Sequence, residues 1–329
     1  MIKEKIIFGI DRKEISHFTS IELHQTINDH HTFTIKVPHS VIEKPRAYTM
    51  ENAQNWLGKT VHIALENKNN FLGIITNIEL DFNLDHVGSQ IILTGFSKTI
   101  LLESGTNLHS WEDTTLQDMV REVIKSGADE QLQNDIQPEF TNKINYQTQY
   151  NETDFQYIQR LAKQYNEWLY YDGEKLFFGK PQNLIQKERI TLTFGQDLYT
   201  FKLGVKAKQT QFGAYTYNEE SNKLYQAKTQ HKVEGLPRMG DQAFDASEKL
   251  YNTASLEYGR IPTGDEGFLE TILKKRQEAA MADANYITAT SGNNKLKIGS
   301  IITINAREGI DVNKAHRLGL DATKTNFQT

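Results

Sequence analysis

The chain has 329 residues, which suits roughly two domains, and its 42 acidic and 37 basic side chains leave a formal net charge of −5. This balance argues against nucleic acid as a partner, and the absence of cysteine excludes disulfides, thiolate metal sites and thiol nucleophiles. The N-terminus lacks the apolar core of a signal peptide, and no window approaches about 18 uninterrupted apolar residues, so we expect neither a leader peptide nor a membrane span.

Residues 1–105 alternate apolar and polar side chains, as antiparallel strands with one buried face do. The pattern predicts a first β-barrel or sandwich over this range, with a hairpin turn at Asn28-Asp29-His30 and a polar, helical-looking excursion at 41–54. The apolar positions that alternate are Ile21, Leu23 and Ile27; Phe33, Ile35 and Val37; Val61, Ile63 and Leu65; and Leu72, Ile74, Ile78, Leu80 and Phe82. Another strand is predicted at 90–96, and turns are predicted at 67–70 and 82–90.

Residues 106–185 predict an inserted α+β region that begins with an amphipathic helix. Thr114 and Gln117 fit the S/T-x-x-E/Q capping box, and the helix is expected to end before Gly127. Its apolar stripe consists of Leu116, Met119, Val120, Val123 and Ile124. Core packing explains this stripe without a ligand.

A second helix and a hairpin follow in the same region. Thr153 and Gln156 form another capping box, and Glu152 and Asp154 place negative charge where the helix dipole favours it. Three- and four-residue steps put Phe155, Ile158, Leu161, Ala162 and Tyr165 on one buried face. Asp172-Gly173 is a two-residue turn signal between strands at 168–171 and 176–178.

Residues 186–329 return to β structure with one long helix. Strands are predicted at 190–194 and within 199–212, and a helix runs from Phe268 to Ala284. The segments 57–63 and 298–304 share the pattern apolar-Gly-polar-x-branched-polar-Ile. The seven positions agree either by chance or because the chain holds two copies of one barrel.

Motifs for nucleotide or metal binding are incomplete. Gly58-Lys59-Thr60 imitates the end of a phosphate-binding loop, but Ala53 occupies the position of the first glycine. Asp81, Asn83 and Asp85 imitate a calcium loop, but His86 and Ile92 stand where glycine and glutamate are required. His30-His31 lacks any ligand spacing, so a turn or surface role is expected. The sequence therefore predicts no catalytic residue, no metal and no cofactor.

A carbohydrate-active enzyme or a sugar-binding module remains the alternative function. Glycoside hydrolysis needs two acidic side chains that the fold brings together, whatever their spacing in the sequence. Glu152/Asp154 and Asp265/Glu266 are candidates only because this requirement excludes few pairs, and helix capping explains both of them. The aromatic residues Tyr146, Tyr150, Trp168, Tyr170 and Tyr171 could stack on sugars. A hydrophobic seam between helix and hairpin is the interpretation that we favour for them.

Residues 149–173 resemble the signature region of VgrG spike proteins of type VI secretion systems and of the related phage late-control D and baseplate-hub proteins. The family pattern starts with Q-Y-N-E-[ST]-D-[FW], continues with R-L-A and ends in an aromatic run with Y-D-G. The matching residues are Gln149, Tyr150, Asn151, Glu152, Thr153, Asp154, Phe155, Arg160, Leu161, Ala162, Trp168, Tyr171, Asp172 and Gly173. Outside this segment the order of strands and helices is similar over most of the chain.

The resemblance implies an α+β, mainly β fold with two tube-like antiparallel β-barrels, at 1–105 and 186–329, and the inserted region at 106–185. It implies a homotrimer whose six barrels match a hexameric inner-tube protein (Hcp-like). Such a hub adapts a trimeric spike to the tube and nucleates tube assembly, without enzymatic activity. The signature residues would fix the fold and the subunit contacts.

The same resemblance implies further partners and a route. The partners would be a spike needle with an OB-fold, a tip protein, baseplate components and effectors, with no nucleic acid and no membrane span. Assembly would occur in the cytoplasm, and export would pass through the injection machine without a signal peptide. The chain departs from full-length spike proteins because it has no OB-fold or β-helix repeats, and its second barrel lacks recognisable closing strands after Ile304.

Overall fold

The first part of the chain folds into one curled antiparallel sheet. The computed structural model describes residues 6–41, 53–65, 69–82, 89–180, 189–218, 221–236, 238–259 and 266–305. The strands of the sheet are β1 (Ile6–Ile10), β2 (Lys13–Ile15), β3 (Ser20–His24), β4 (Thr32–Pro38), β5 (Thr60–Leu65), β6 (Asn69–Asp81) and β7 (Gln90–Ser97). Their order is β2-β1-β5-β6-β7-β4-β3, and all neighbours are antiparallel.

This sheet closes around its own core like half a barrel. Ile35, Val61 and Leu93, on three different strands, are fully buried on the concave face. Phe8 of β1 packs edge-to-face against Phe18, just before β3, with ring centroids 6.3 Å apart. Because β1 and β3 lie near opposite edges of the sheet, this contact draws the two edges together. The predicted hairpin around residues 28–30 and the strands β4, β5 and β7 are confirmed.

The predicted alternation along β6 is wrong in its first half. Phe71 and Ile75 are buried, whereas Leu72 and Ile74 are only half-buried. A β-bulge at Thr76 lets Ile75 pair with Gly95 and Asn77 pair with Thr94. The side chains that point inward therefore change from odd-numbered to even-numbered residues, and Ile78 is buried in the core. The predicted turn at 67–70 is wrong for Asn69 and Asn70, which already belong to β6, and residues 67 and 68 lie outside the described residues. Most of the excursion at 41–54 and of the calcium-like segment lies outside the described residues.

The inserted region packs two helices against a ribbon and a small sheet. Its elements are β8 (Thr106–Thr115), α1 (Leu116–Ala128), β9 (Gln133–Ile136), β10 (Lys143–Thr153), α2 (Asp154–Tyr165), β11 (Leu169–Tyr171) and β12 (Lys175–Phe178). β8 and β10 form a long antiparallel ribbon, and β12 pairs with β11 antiparallel and with β9 parallel. The core of this region is continuous with that of the sheet.

The apolar stripe of α1 is confirmed, and its predicted ends are wrong. All five stripe residues are buried. The cap is Thr115, whose hydroxyl accepts the Asp118 N–H at 3.1 Å, and Gln117 instead donates to the Ile136 carbonyl at 2.6 Å. The helix also continues through Gly127 to Ala128. A methyl group at Gly127 would overlap Asp154 Oδ2 at the start of α2, so this glycine permits the two helices to meet.

The described residues of the last region form three small sheets and two helices. Its elements are β13 (Arg189–Thr193), β14 (Leu198–Val205), β15 (Phe212–Asn218), β16 (Lys223–Lys228), α3 (Arg238–Leu250), β17 (Ser255–Tyr258), α4 (Glu266–Ala284), β18 (Asn285–Ser291) and β19 (Ile301–Asn305). β13 pairs with β19, β14 with β18, and β15 with β16 and β17. The α+β, mainly β class is confirmed, whereas the second barrel and the domain boundaries stay predictions.

The two copies of the sequence echo share a backbone turn. Gly58 and Gly299 both have positive φ, at 74° and 80°. One residue later, the Lys59 N–H donates to the Trp56 carbonyl and the Ser300 N–H to the Lys297 carbonyl, each at 3.0 Å. Each turn leads directly into a strand, β5 or β19. The similarity is therefore local structure as well as sequence.

Replacing Gly127 with alanine should destabilise the protein, although alanine normally stabilises a helix interior relative to glycine by about 1 kcal/mol. The added methyl group would push Asp154 away from its partners, and we expect the free energy of unfolding to fall by roughly 1–3 kcal/mol. Urea unfolding measures the change. Gly105→Ala is the control, because a methyl group there meets no atom within 4 Å and should leave stability nearly unchanged. Equal effects of the two changes would contradict this packing.

Candidate functional site

The predicted signature residues come together where the inserted region meets the first sheet. We call this region the joint: it comprises the end of β10, helix α2, the hairpin β11–β12 and the β3–β4 turn at residues 25–31. Asn151 is the extra residue of a β-bulge, since Tyr150 pairs with Leu108 and Glu152 with Asn107. Its φ of 52° lies in the left-handed region, which asparagine adopts more readily than most residues. The bulge turns the chain from β10 into α2.

Arg160 ties helix α2 back to β10. Its Nε lies 3.0 Å from both carboxylate oxygens of Glu152, and its second guanidinium nitrogen donates to the Thr148 carbonyl at 2.6 Å. The guanidinium also lies 5.0 Å from the ring centroid of Tyr157. This planar, multidentate arrangement holds the helix at a fixed angle to the strand. The Glu152 carboxylate is thus occupied by an internal ion pair.

Asp154 is a buried carboxylate in the first turn of α2. Its Oδ1 accepts hydrogen bonds from Gln149 Nε2 at 2.9 Å and from Asn107 Nδ2 at 2.8 Å. The capping box predicted for Thr153 and Gln156 is present, with both reciprocal hydrogen bonds at 3.1 Å. Glu152 and Asp154 therefore serve the bulge and the helix start. They do not face each other across a cleft of the kind that glycoside hydrolysis needs.

His30 connects α2 to the first sheet. Its ring stacks on Phe155 with centroids 3.8 Å apart and an interplanar angle of 27°. Nδ1 lies 2.7 Å from Thr99 Oγ1 and Nε2 lies 3.2 Å from Glu103 Oε1. Burial lowers the pKa of His30, against the opposing effect of the Glu103 carboxylate. The imidazole therefore works as an aromatic spacer between strand and helix.

His31 is fully buried and has a defined tautomer. Its Nε2 must donate to the Thr26 carbonyl at 3.1 Å, so Nδ1 accepts from Gln25 Nε2 at 3.3 Å. The ring packs edge-to-face against Tyr171 at 5.5 Å. Burial lowers the pKa of His31 to about 4, so the neutral form fills the core at physiological pH.

The hairpin β11–β12 continues the pairing of β6 beyond the end of β7. The Leu72 N–H donates to the Gly173 carbonyl at 2.7 Å, and the Tyr171 hydroxyl donates to the Leu72 carbonyl at 3.1 Å. On the other side, the Asn28 N–H donates to the Leu169 carbonyl at 2.8 Å. A side chain at Gly173, where φ is 110°, would overlap the Asn70 carbonyl, so only glycine permits this approach.

The hairpin turn is shifted by one residue from the prediction. Asp172 and Lys175 are hydrogen-bonded through their backbones at 3.1 Å, so Gly173-Glu174 forms the two-residue loop. The Asp172 carboxylate accepts the Glu174 and Lys175 N–H groups at 3.0 and 2.9 Å. Its second oxygen lies 3.5 Å from Lys297 Nζ, beside the second echo turn. Asp172 thus connects the joint to the last region.

The hydrophobic seam holds for part of the aromatic set only. Tyr170 and Tyr171 are buried, and Trp168 is half-buried. Tyr146 and Tyr150 are instead exposed on the outer face of the β8–β10 ribbon. Since β10 alternates, their neighbours Gln147 and Gln149 point inward.

His30 and His31 lie in the β3–β4 turn, which is one of the two roles expected of them, but the surface alternative is wrong, because His31 is fully buried and His30 is largely buried. Reading the alternation of β4 backwards from Val37 through Ile35 and Phe33 places His31 on the inward face, so the sequence did carry a signal for its burial. No comparable signal exists for the stacking of His30 on Phe155, because that contact joins residues far apart in the chain.

Other chemistry has little support in the part of the chain that the structure describes. No three His, Asp or Glu side chains there cluster as metal ligands would. The helices described are too short or too polar to cross a membrane. A cavity of about 40 Å³ lies between β5, β6 and the second echo turn, and its lining includes Leu23, Phe71 and Leu296. This volume accommodates water molecules rather than a sugar.

Comparisons with known proteins identify relatives. A sequence profile described as phage tail baseplate hub (GPD) matches residues 26–318. No curated protein matches by sequence. Among solved structures, the tail protein from Neisseria meningitidis MC58 is 11% identical, with a TM-score of 0.62 over 93% of this chain and 88% of that one.

Two further structures are similar. The 43 kDa tail protein of prophage MuSo2 from Shewanella oneidensis is 13% identical, with a TM-score of 0.59 over 94% of this chain and 89% of that one. The E. coli c3393 protein, described as a type VI secretion component similar to T4 tail proteins gp27 and gp5, is also 13% identical, with a TM-score of 0.54 over 94% of this chain and 69% of that one. At these identities the likeness shows the fold.

Asn151 should tolerate glycine and reject a β-branched residue. We expect Asn151→Gly to change the free energy of unfolding by less than about 0.5 kcal/mol and Asn151→Val to lower it by about 1–2 kcal/mol, because valine at positive φ is strained. Urea unfolding again provides the measurement. Thr148→Val, in the regular part of the same strand, is the control and should be nearly neutral. A stable Asn151→Val protein would contradict the role of the bulge.

The protein should lose stability as the pH falls from 6.5 to 4. In this range an unfolded His31 takes up a proton and the buried ring does not, so the unfolded state gains about 3 kcal/mol relative to the folded state. Urea unfolding at pH 4, 5, 6 and 7 measures the slope. His31→Gln should flatten it, leaving the smaller share of His30, whereas His17→Gln at an exposed site should leave it unchanged. An unaltered slope in His31→Gln would contradict this assignment.

Proposed function

The chain belongs to the phage tail baseplate hub family, and on that premise we propose that it is the hub of a contractile injection apparatus, where a trimer of chains joins a threefold spike to a hexameric inner tube. The observation that carries the proposal is the extent of the family match, from residue 26 to residue 318. This range includes most of the first sheet, the joint from Thr26 onward and both copies of the echo turn.

Symmetry gives the physical reason for such a hub. A ring of subunits stacks on another ring only where repeat number and rotation agree. Three chains that each carry two similar strand-and-turn units would present six equivalent positions to a hexameric tube. The shared turns before β5 and β19, with matching positive-φ glycines, support two such units per chain.

The signature residues fit a mechanical role better than a catalytic one. Asp154, Glu152 and Arg160 are each engaged by internal hydrogen bonds or ion pairs. Together they fix helix α2 on strand β10 within the inserted region, so that the unit can transmit force without rearranging. We propose that the remaining partners are the spike needle and its tip protein, baseplate components and effectors, and that the chain leaves the cytoplasm through the injection machine.

The stoichiometry of the full-length chain tests the proposal. The chain should assemble as trimers, and with the hexameric inner-tube protein of its own system it should form complexes of three hub chains and six tube chains. Sedimentation velocity and native mass spectrometry at several concentrations give the masses, and electron microscopy shows whether the tube begins on the hub. A tube protein from an unrelated system is the control. A persistent monomer that leaves tube assembly unchanged would refute the proposal.

A further inference from the structure

The small sheet β16-β15-β17 has an exposed apolar face. One side of β15, with Phe212 and Ala214, packs against Leu269 and Leu273 of α4. The opposite side turns large apolar residues towards solvent. This tyrosine face consists of Tyr215, Tyr217, Leu224, Leu256 and Tyr258, whose exposed fractions lie between 37% and 66%.

The residues of the tyrosine face form one contiguous surface. Tyr217 pairs with Leu224 on β16, and Tyr215 pairs with Tyr258 on β17, where the two rings pack edge-to-face at 5.4 Å. Leu256 lies in the next row, across Gly213. The solvent side of a two-layer sheet is normally polar, whereas this face exposes five large apolar residues next to one another, as binding surfaces do.

A second exposed apolar face lies on the ribbon β8–β10. Tyr150 pairs with Leu108, and Tyr146 on the same strand pairs with Glu112. Alternate residues of a strand point to the same side, so these four side chains share one face. The opposite face, with Trp111 and Gln149, is buried against the helices. We call this surface the ribbon face; its residues Leu108 and Tyr150 are more than 70% exposed.

We propose that the tyrosine face of one copy of this chain packs on the ribbon face of the next copy. The inference rests on the proposed hub function, because it names the surfaces that would close the ring. A cyclic trimer requires a head-to-tail contact between two different patches on each subunit. The chain has two such patches, on different regions, and neither is covered within the described residues.

The charges on the two faces are complementary. Lys228 lies on the tyrosine face, in the row of Gly213 and Leu256, and Glu112 lies on the ribbon face opposite Tyr146. Both side chains are exposed, and neither has an ion-pair partner among the described residues. Opposed charges at the edge of an apolar contact set its register and orientation.

Two single substitutions test the faces. Leu256→Glu on the tyrosine face and Leu108→Glu on the ribbon face should each weaken self-association at least tenfold and give monomers. Leu250→Glu, at the end of α3, is the matched control and should keep the wild-type mass. The three leucines are 66%, 72% and 63% exposed, so none of the changes removes core packing. Thermal unfolding verifies that the variants fold, and sedimentation velocity gives the masses.

Mixing the two variants tests the head-to-tail pairing. A Leu108→Glu chain retains its tyrosine face, and a Leu256→Glu chain retains its ribbon face. Together they should form a one-to-one dimer, although each alone is monomeric. In the same way Glu112→Lys and Lys228→Glu should each weaken association, and the two changes combined in one chain should restore it.

The outcomes separate this inference from the proposed function. A wild-type trimer that survives both leucine changes overturns the inference and leaves the hub intact; in that case other surfaces hold the ring. Loss of association in both variants without formation of the mixed dimer also overturns it. If the two faces bind the tube protein instead of a second copy, the variants will stay trimeric and will lose tube binding. A wild-type monomer refutes both proposals.

Discussion

The structure depends on one set of contacts: the β3–β4 turn lies between helix α2 and hairpin β11–β12 and bonds to both. Gln159 of α2 donates to the Asn28 carbonyl, and the Asn28 N–H donates to Leu169 of the hairpin. Next to them, His30 stacks on Phe155 and His31 packs against Tyr171. Each of these contacts joins residues more than a hundred positions apart. They merge the sheet and the inserted region into one hydrophobic core.

The geometry of the joint explains why the family pattern contains so many residues that have no catalytic role. Asn151 supplies a backbone conformation, Gly173 supplies space beside the Asn70 carbonyl, and Asp154 holds the side chains of Gln149 and Asn107 at the start of α2. Each role is geometric, and each residue type meets a requirement that few others can. In the hub function that we propose, these contacts would share the load between spike and tube, because all of them are made at the same time.

The sequence predicted what local rules determine. The capping box at Thr153, the buried faces of α1 and α2 and the alternation of β4 all follow from periodicity and caps within a few residues. Two of the failures arose where distant residues decide. The bulge at Thr76 reverses the inward face of β6, and Gly127 marks the close approach of Asp154 from another element rather than the end of α1. The alternation of β4 indicates that His31 is buried, but no sequence pattern indicates that its ring packs against Tyr171.

Native-state hydrogen exchange measures directly whether the sheet and the inserted region open as one unit. The amides of Asn28 and Leu72 donate across the joint, while those of Ile35 in β4 and Leu161 in α2 lie within their own elements. If the joint holds both parts together, all four should exchange with the same free energy, equal to that of global unfolding. Exchange of Asn28 and Leu72 that is orders of magnitude faster than that of Ile35 and Leu161 would show that the two parts separate in the folded protein, and would contradict this account.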